Sequence, residues 1–274
     1  MFSRRNLLAA AGGALVLPRA NAATTEEWRA AREKNLQAPD GWLSLVALEW
    51  LDEGVENTNL HPNLKLLLKN GKVTAKAGAG VTLNGNPFTS AILKPDNPGP
   101  EDTIMIGSRT YILINRGNRF GVRVRDPESK YRKQFKGLRW YPVNAAYKVE
   151  GKLVPHASPK TLTVTTVVDG LTQEVTSVGV VSFKLGGVAC SLEAADAGDQ
   201  LYFIFKDTTA GKTTYPAGRY MYTPTAKNGI VELDFNRAYN PPCAYNPYAT
   251  CPLPRPENRL KAAVLAGELD YHFA

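Results

Sequence analysis

The sequence predicts a mainly β protein: a small N-terminal β-sandwich-like unit, then an antiparallel β-barrel-like or sandwich meander, with a short N-terminal helix. Aliphatic and aromatic residues fall in short runs broken by Gly, Pro and Asn, the pattern of strands bounded by turns. Turn dipeptides recur between the runs at Asn70-Gly71, Asn84-Gly85, Asp169-Gly170, Gly186-Gly187 and Asn228-Gly229. In the second half the runs are evenly spaced, which suits a sandwich or a small open barrel.

The first 22 residues read as an export signal, with Arg4 and Arg5 ahead of the apolar run Leu7–Leu17 and a small-residue cleavage site at Ala20-Asn21-Ala22. The paired arginines after Ser3 point to a twin-arginine address, with an ordinary Sec signal as the alternative. The mature chain then begins at Ala23 and is periplasmic or secreted. Its formal charge falls from +8 to +5 as Arg4, Arg5 and Arg19 leave, too small an excess to indicate nucleic acid as a partner. The apolar run is too short to span a bilayer, so no transmembrane segment is expected in the mature chain.

Residues 23–63 hold the helix and a connecting segment. Thr24 and Glu27 have capping-box spacing, and "TEEWRAAREKNLQ" continues as an amphipathic helix until Pro39 stops it. "WLSLVALEWL" reads as a buried strand after Gly41. Residues 64–125 form the small β unit, beginning with a hairpin around Asn70-Gly71. Residues 126–147 are a polar and aromatic connector, and residues 148–274 form the antiparallel barrel-like unit, which ends in a Pro-rich loop.

The stretches "GWLSLVALEWL", "RDPES…GLRWYPV", "FKDTTAGKTTYPAGRYMY" and "DFNRAYNPPCAYNPYATCPLPRPENRL…AGE" resemble an uncharacterised bacterial family catalogued as domain of unknown function 1684, over Trp42 to Glu268. The resemblance implies no activity, cofactor or partner, so function has to be read from the residues.

The familiar catalytic signatures are missing: no nucleophile elbow, no His-Glu-x-x-His, no Cys-x-x-Cys and no phosphate-binding glycine loop. His61, His156 and His272 are scattered, and neither a metal site nor a cofactor is expected. Cys190 shares a strand face with Val188 and Leu192 and reads as a buried small hydrophobe. Cys243 and Cys251 stand eight positions apart in a loop of an exported chain. They read as a disulfide pinning that loop, with a reactive thiol at Cys251 as the alternative.

If Asn228-Gly229 is a two-residue turn, Thr223 faces Asp234 and Met221 faces Asn236. Arg219, Glu232, Asp234 and Asn236 then share a polar face, opposite Val231, Leu233, Phe235, Tyr220 and Tyr222. That face offers an Arg219–Asp234 ion pair and a polar row beside the Pro-rich loop. The candidate ligand-binding residues are Arg219, Asp234, Asn236, Arg237, Tyr239 and Asn240. The first reading is a periplasmic binding or scaffold protein with a tyrosine-lined site for a small amphipathic or anionic ligand. The second is a hydrolase or isomerase with Asp234 as general base and Arg219 and Arg237 holding an anionic group. The Pro-rich loop either braces the end of the barrel or lines the site.

Overall fold

The computed structural model describes residues 24–117 and 119–271, so the expected export signal at residues 1–22 lies outside the described residues. The described chain divides into two compact units, Leu36–Phe135 and a second made of residues 24–35 with 136–271. The division falls inside the stretch read as a connector.

In the first unit a 3-10 turn at Trp42–Ser44 leads into β1 (Leu45–Trp50), so the run "WLSLVALEWL" becomes a strand after one turn. There follow β2 (Glu56–His61), β3 (Leu64–Lys69), β4 (Lys72–Ala77), β5 (Val81–Leu83), β6 (Asn86–Pro87), β7 (Ser90–Ile92), β8 (Thr103–Ile106), β9 (Arg109–Arg116) and β10 (Arg119–Arg125). Among the described residues these form two antiparallel sheets, ordered β1-β10-β9-β8-β5-β6 and β2-β3-β4-β7. Leu64, Leu66 and Leu68 alternate inward along β3 and meet Tyr111, Leu113, Val122 and Val124 of the facing sheet, the packing of a sandwich. The sandwich starts upstream of residue 64, because β1 and β2 both contribute. A short helix, α1 (Lys130–Gln134), closes this unit.

The second unit opens with the N-terminal helix, Thr25–Leu36, of which residues 25–35 belong here. Its capping box is reciprocal: Thr24 donates its backbone N–H to Glu27 Oε2 (2.7 Å) and accepts from the Glu27 N–H at Oγ1 (3.1 Å). The buried side chains at four-residue spacing are Trp28, Arg32 and Leu36, an apolar stripe with a guanidinium at its centre.

The sheet of this unit comprises β11 (Lys148–Thr165), β12 (Thr172–Leu185), β13 (Val188–Asp196), β14 (Gln200–Phe205), β15 (Arg219–Pro224) and β16 (Ile230–Asp234). Its order is β15-β14-β13-β12-β11-β16, nearly closed, with β15 and β16 as the two edges approaching each other. Irregular register between Pro155 and Lys160, and between Ser177 and Gly179, bends the long strands so that the sheet curls. The interior is filled by Val181, Leu192, Phe203, Phe205, Leu233 and Phe235. It is plugged by the extended C-terminal stretch, whose alternate residues Leu260, Ala262, Val264 and Ala266 are buried.

The β15–β16 hairpin differs from its sequence reading. Asn228-Gly229 does form a two-residue turn, with φ of 52° and 77° and Lys227 and Ile230 paired around it. Beyond that pair β15 joins β14 and β16 joins β11, so Thr223 and Asp234 are not cross-strand partners. Pro224 brings no N–H to a ladder, and each strand finds a full-length partner elsewhere. Side-chain alternation then puts Arg219, Met221 and Thr223 on the inner face and Tyr220 and Tyr222 on the outer face, where Tyr202 stacks on Tyr222 at 4.6 Å and Tyr220 is buried against Tyr239.

Gly267 is required where the C-terminal stretch passes under the 3-10 turn Phe235–Arg237. Its φ is +80°, and a Cβ there would lie 2.5 Å from the Ala238 carbonyl oxygen and 2.8 Å from that of Phe235. Gly267→Ala is expected to destabilise the protein by about 2 kcal/mol or more. Urea denaturation followed by circular dichroism measures it, and an unchanged midpoint would contradict this backbone assignment.

Candidate functional site

The structure divides the six residues singled out from the sequence between a buried polar network and an open groove. Arg219, Tyr239 and Asn240 belong to the network, Asp234 and Arg237 line the groove, and Asn236 lies behind it.

The network is centred on Glu268, whose side chain is 0% exposed. Its Oε2 accepts from Arg32 Nε (2.9 Å) and from the Asn240 backbone N–H (3.1 Å). Its Oε1 accepts from Asn240 Nδ2 (3.0 Å) and from the Tyr245 hydroxyl. Arg32 also donates to the Asn240 carbonyl and the Tyr245 hydroxyl, both at 2.8 Å, and lies over the Tyr239 ring at 4.3 Å. Burial opposes the charge on Arg32, but Glu268 and the two tyrosines overcome it and hold the guanidinium above its ordinary value. Sequence reading missed Arg32. The signal was its place midway between Trp28 and Leu36 on the face that the helix buries.

Arg219 anchors the other side of the plug. It donates to Asp207 Oδ2 (2.8 Å) and to the carbonyls of Val264 (3.0 Å) and Ala266, with both charged side chains buried. Asp207 Oδ1 in turn accepts from Thr209 and from the Val264 N–H. The expected Arg219–Asp234 pair is thus replaced by Arg219–Asp207. Arg219 and Asp234 project from opposite sides of the sheet, Arg219 inward and Asp234 outward.

The groove, of about 820 Å³, runs along the seam where β15 and β16 fail to join. Lys148, Glu150, Tyr222, Lys227, Glu232 and Arg237 line it together with Asp234. Glu150 and Glu232 are direct cross-strand partners, a like-charge juxtaposition that disfavours the folded state unless something compensates it. Lys148 meets Glu232 at 3.0 Å and Arg237 meets Asp234 at 3.5 Å, so both signs of charge are displayed. Asp234 Oδ1 is committed to the 3-10 turn, accepting from the Asn236 backbone and side-chain amides at 3.0 Å each. Asn236 exchanges further hydrogen bonds with Asn144 and is buried.

The expected disulfide is not present: all three cysteines are thiols. Cys243 and Cys251 are nevertheless adjacent, with the Cys243 N–H donating to Cys251 Sγ at 3.2 Å, so a backbone-to-sulfur hydrogen bond stands where a covalent link was expected. A hydrogen bond from Cys251 pulls the Cys243 thiol below its ordinary value, against the effect of burial. Cys190 lies half-buried against the core, and burial pushes its thiol up.

A Ser-His-Glu grouping that the sequence did not reveal lies on β11, β12 and β13. Glu193 Oε1 meets both His156 Nε2 (2.7 Å) and Ser177 Oγ (2.5 Å). Ser177 also contacts the same histidine nitrogen, so the imidazole does not bridge serine and carboxylate as a proton relay requires. Among the described residues no cluster of three or more His, Cys, Asp or Glu is placed to hold a metal, and no helix is long and apolar enough to cross a membrane.

The family model described as "Protein of unknown function (DUF1684)" matches residues 133–269, half of the chain. The match spans the second unit from its first strand to Glu268, while residues 42–132 of the likeness read from the sequence lie outside it. A solution NMR structure of an uncharacterized protein from gene locus rrnAC0354 of Haloarcula marismortui is 35% identical. The alignment covers 50% of this chain and 78% of that one, with a TM-score of 0.43. No curated protein matches the chain.

If Arg219 is a clamp rather than a ligand contact, Arg219→Met should strand Asp207 without its charge partner. The expected cost is about 3 to 5 kcal/mol, a fall in Tm of about 10 °C for a unit of this size. Thermal denaturation tests this, and a variant as stable as the parent would show that Arg219 is not the clamp on Asp207 and the C-terminal stretch.

Proposed function

Because the chain belongs to the DUF1684 family of proteins of unknown function, we propose its role from its own geometry: an exported binding protein whose groove at the β15–β16 seam takes a small, charged amphipathic ligand. The carrying observation is the direct opposition of Glu150 and Glu232 in the lining of that groove, together with Lys148, Lys227 and Arg237. Like charges placed opposite each other on an exposed ladder cost stability; Lys148 already meets Glu232, so a ligand presenting a cationic group would relieve the cost at Glu150. The flanking basic side chains suit an anionic group on the same ligand, and the Tyr222 ring supplies an apolar wall. The basic and apolar pattern of residues 1–22 supports the export part of this reading, in which the protein meets its ligand outside the cytoplasm.

The hydrolase or isomerase reading has less support. Arg219 is withdrawn into the interior on Asp207, and Asp234 Oδ1 caps a turn with two hydrogen bonds, which leaves Arg237 as the cation beside a carboxylate with a structural task.

Protein purified from the compartment to which it is exported should carry a non-covalent mass increment in native mass spectrometry that disappears on denaturation. Lys148→Gln with Arg237→Gln, which removes the two cations without adding carboxylates opposite Asp234 and Glu232, should abolish it while leaving the fold unchanged by circular dichroism. A bare polypeptide mass in every preparation, or an increment indifferent to the double substitution, would remove the groove as a binding site.

A further inference from the structure

We propose that Cys243 and Cys251 are a reversible dithiol–disulfide couple that exchanges with the disulfide of a small thiol, Cys243 being the attacking sulfur and Cys251 the resolving one. Three observations lead there. First, the two residues are in contact without being bonded, the Cys243 N–H lying 3.2 Å from Cys251 Sγ. Second, their exposure is unequal: Cys243 is half-buried, whereas Cys251 is 4% exposed. An incoming disulfide therefore reaches Cys243 first.

Third, the backbone at each cysteine is fixed without help from a covalent link. The Tyr215 hydroxyl donates to the Cys243 carbonyl at 3.1 Å, and the Val167 N–H donates to the Cys251 carbonyl at 3.0 Å. The Tyr220 hydroxyl holds the next carbonyl, that of Pro252, at 2.7 Å. Pro241 and Pro242 open the 3-10 turn that carries Cys243 and stiffen it further. A loop held in this way keeps its shape whether its sulfurs are reduced or oxidised. That suits a couple that cycles, while a staple is needed where nothing else holds the chain. The acidity of the sulfurs agrees: the hydrogen bond from Cys251 favours the Cys243 thiolate, while burial disfavours that of Cys190.

The exchange balances with a small-molecule disulfide RS–SR as oxidant. The Cys243 thiolate forms a bond to one sulfur, the S–S bond of RS–SR breaks, and RS⁻ leaves and takes up the proton that Cys243 lost. Cys251, deprotonated in turn, attacks the Cys243 sulfur, forming the intramolecular disulfide and expelling the second RS⁻, which is protonated. The pair is oxidised by two electrons, and RS–SR is reduced to two RSH.

The test uses the full chain, reduced and freed of reductant, then treated with oxidised glutathione and quenched by alkylation for peptide mapping. Wild type should pass to a Cys243–Cys251 disulfide that reduced glutathione reopens in the native protein. Cys251→Ser should accumulate a glutathione adduct on Cys243, and Cys243→Ser should accumulate none at Cys251 on the same timescale. Should either variant fail to fold, wild-type alkylation decides, because Cys243 should react with iodoacetamide about tenfold faster than Cys190 in the native state. A disulfide that native protein cannot reopen, an absent adduct on Cys243, or equal alkylation of Cys243 and Cys190 would each overturn the proposal.

Discussion

Arg32 and Glu268 are separated by 236 positions, yet their side chains meet at 2.9 Å where neither touches solvent. Two buried charges cost several kcal/mol each to desolvate, and their attraction offsets this only when the remaining lone pairs and protons are also met. That requirement reaches far along the chain. Four donors have to converge on Glu268, and three of them come from Asn240 and Tyr245. The Pro-rich segment is therefore held in one conformation from both of its neighbours: the helix supplies Arg32 and the C-terminal stretch supplies Glu268. Its prolines lower the entropy of the unfolded chain, and its asparagines and tyrosines supply the directed bonds. The segment is a brace.

The same constraint explains where a ligand has room. With Leu260, Ala262, Val264 and Ala266 filling the curled sheet and Arg219 clamping their carbonyls, the interior of this unit is closed. What stays open is the seam between β15 and β16, where two edge strands meet without a ladder and charged side chains face outward. Edge strands are usually protected by charge or by proline, and this seam has both, in Lys148, Lys227 and Pro224. The groove thus combines a structural need, keeping foreign strands away, with the array of opposite charges on which the proposed ligand site rests.

Much of the architecture was legible because it is encoded locally. The Thr24–Glu27 capping box, the turns at Asn70-Gly71 and Asn228-Gly229 and the alternation of Leu64, Leu66 and Leu68 each depend on residues within a few positions of one another. The site was less legible. Arg219 sits two residues before Met221 on an inward face, and only the pairing of β15 with β14 instead of β16 shows that its partner is Asp207. No local pattern distinguishes a buried arginine from an exposed one when the partners are carbonyls from a distant extended segment. The Ser177–His156–Glu193 contact is equally long-range, built by three strands. Asp234 and Arg237, by contrast, meet because they are close in sequence, and their proximity could be read beside a loop of unusual composition.

The brace depends on Arg32 and Glu268 acting as a coupled unit, and a double-mutant cycle on unfolding free energy measures that coupling. Arg32→Met and Glu268→Leu should each cost about 3 to 5 kcal/mol, since each leaves a buried charge without its partner. The double variant should lose much less than the sum, with a coupling of about 2 kcal/mol or more. Additive losses, or single variants as stable as the parent, would show that the brace is held by something other than this pair.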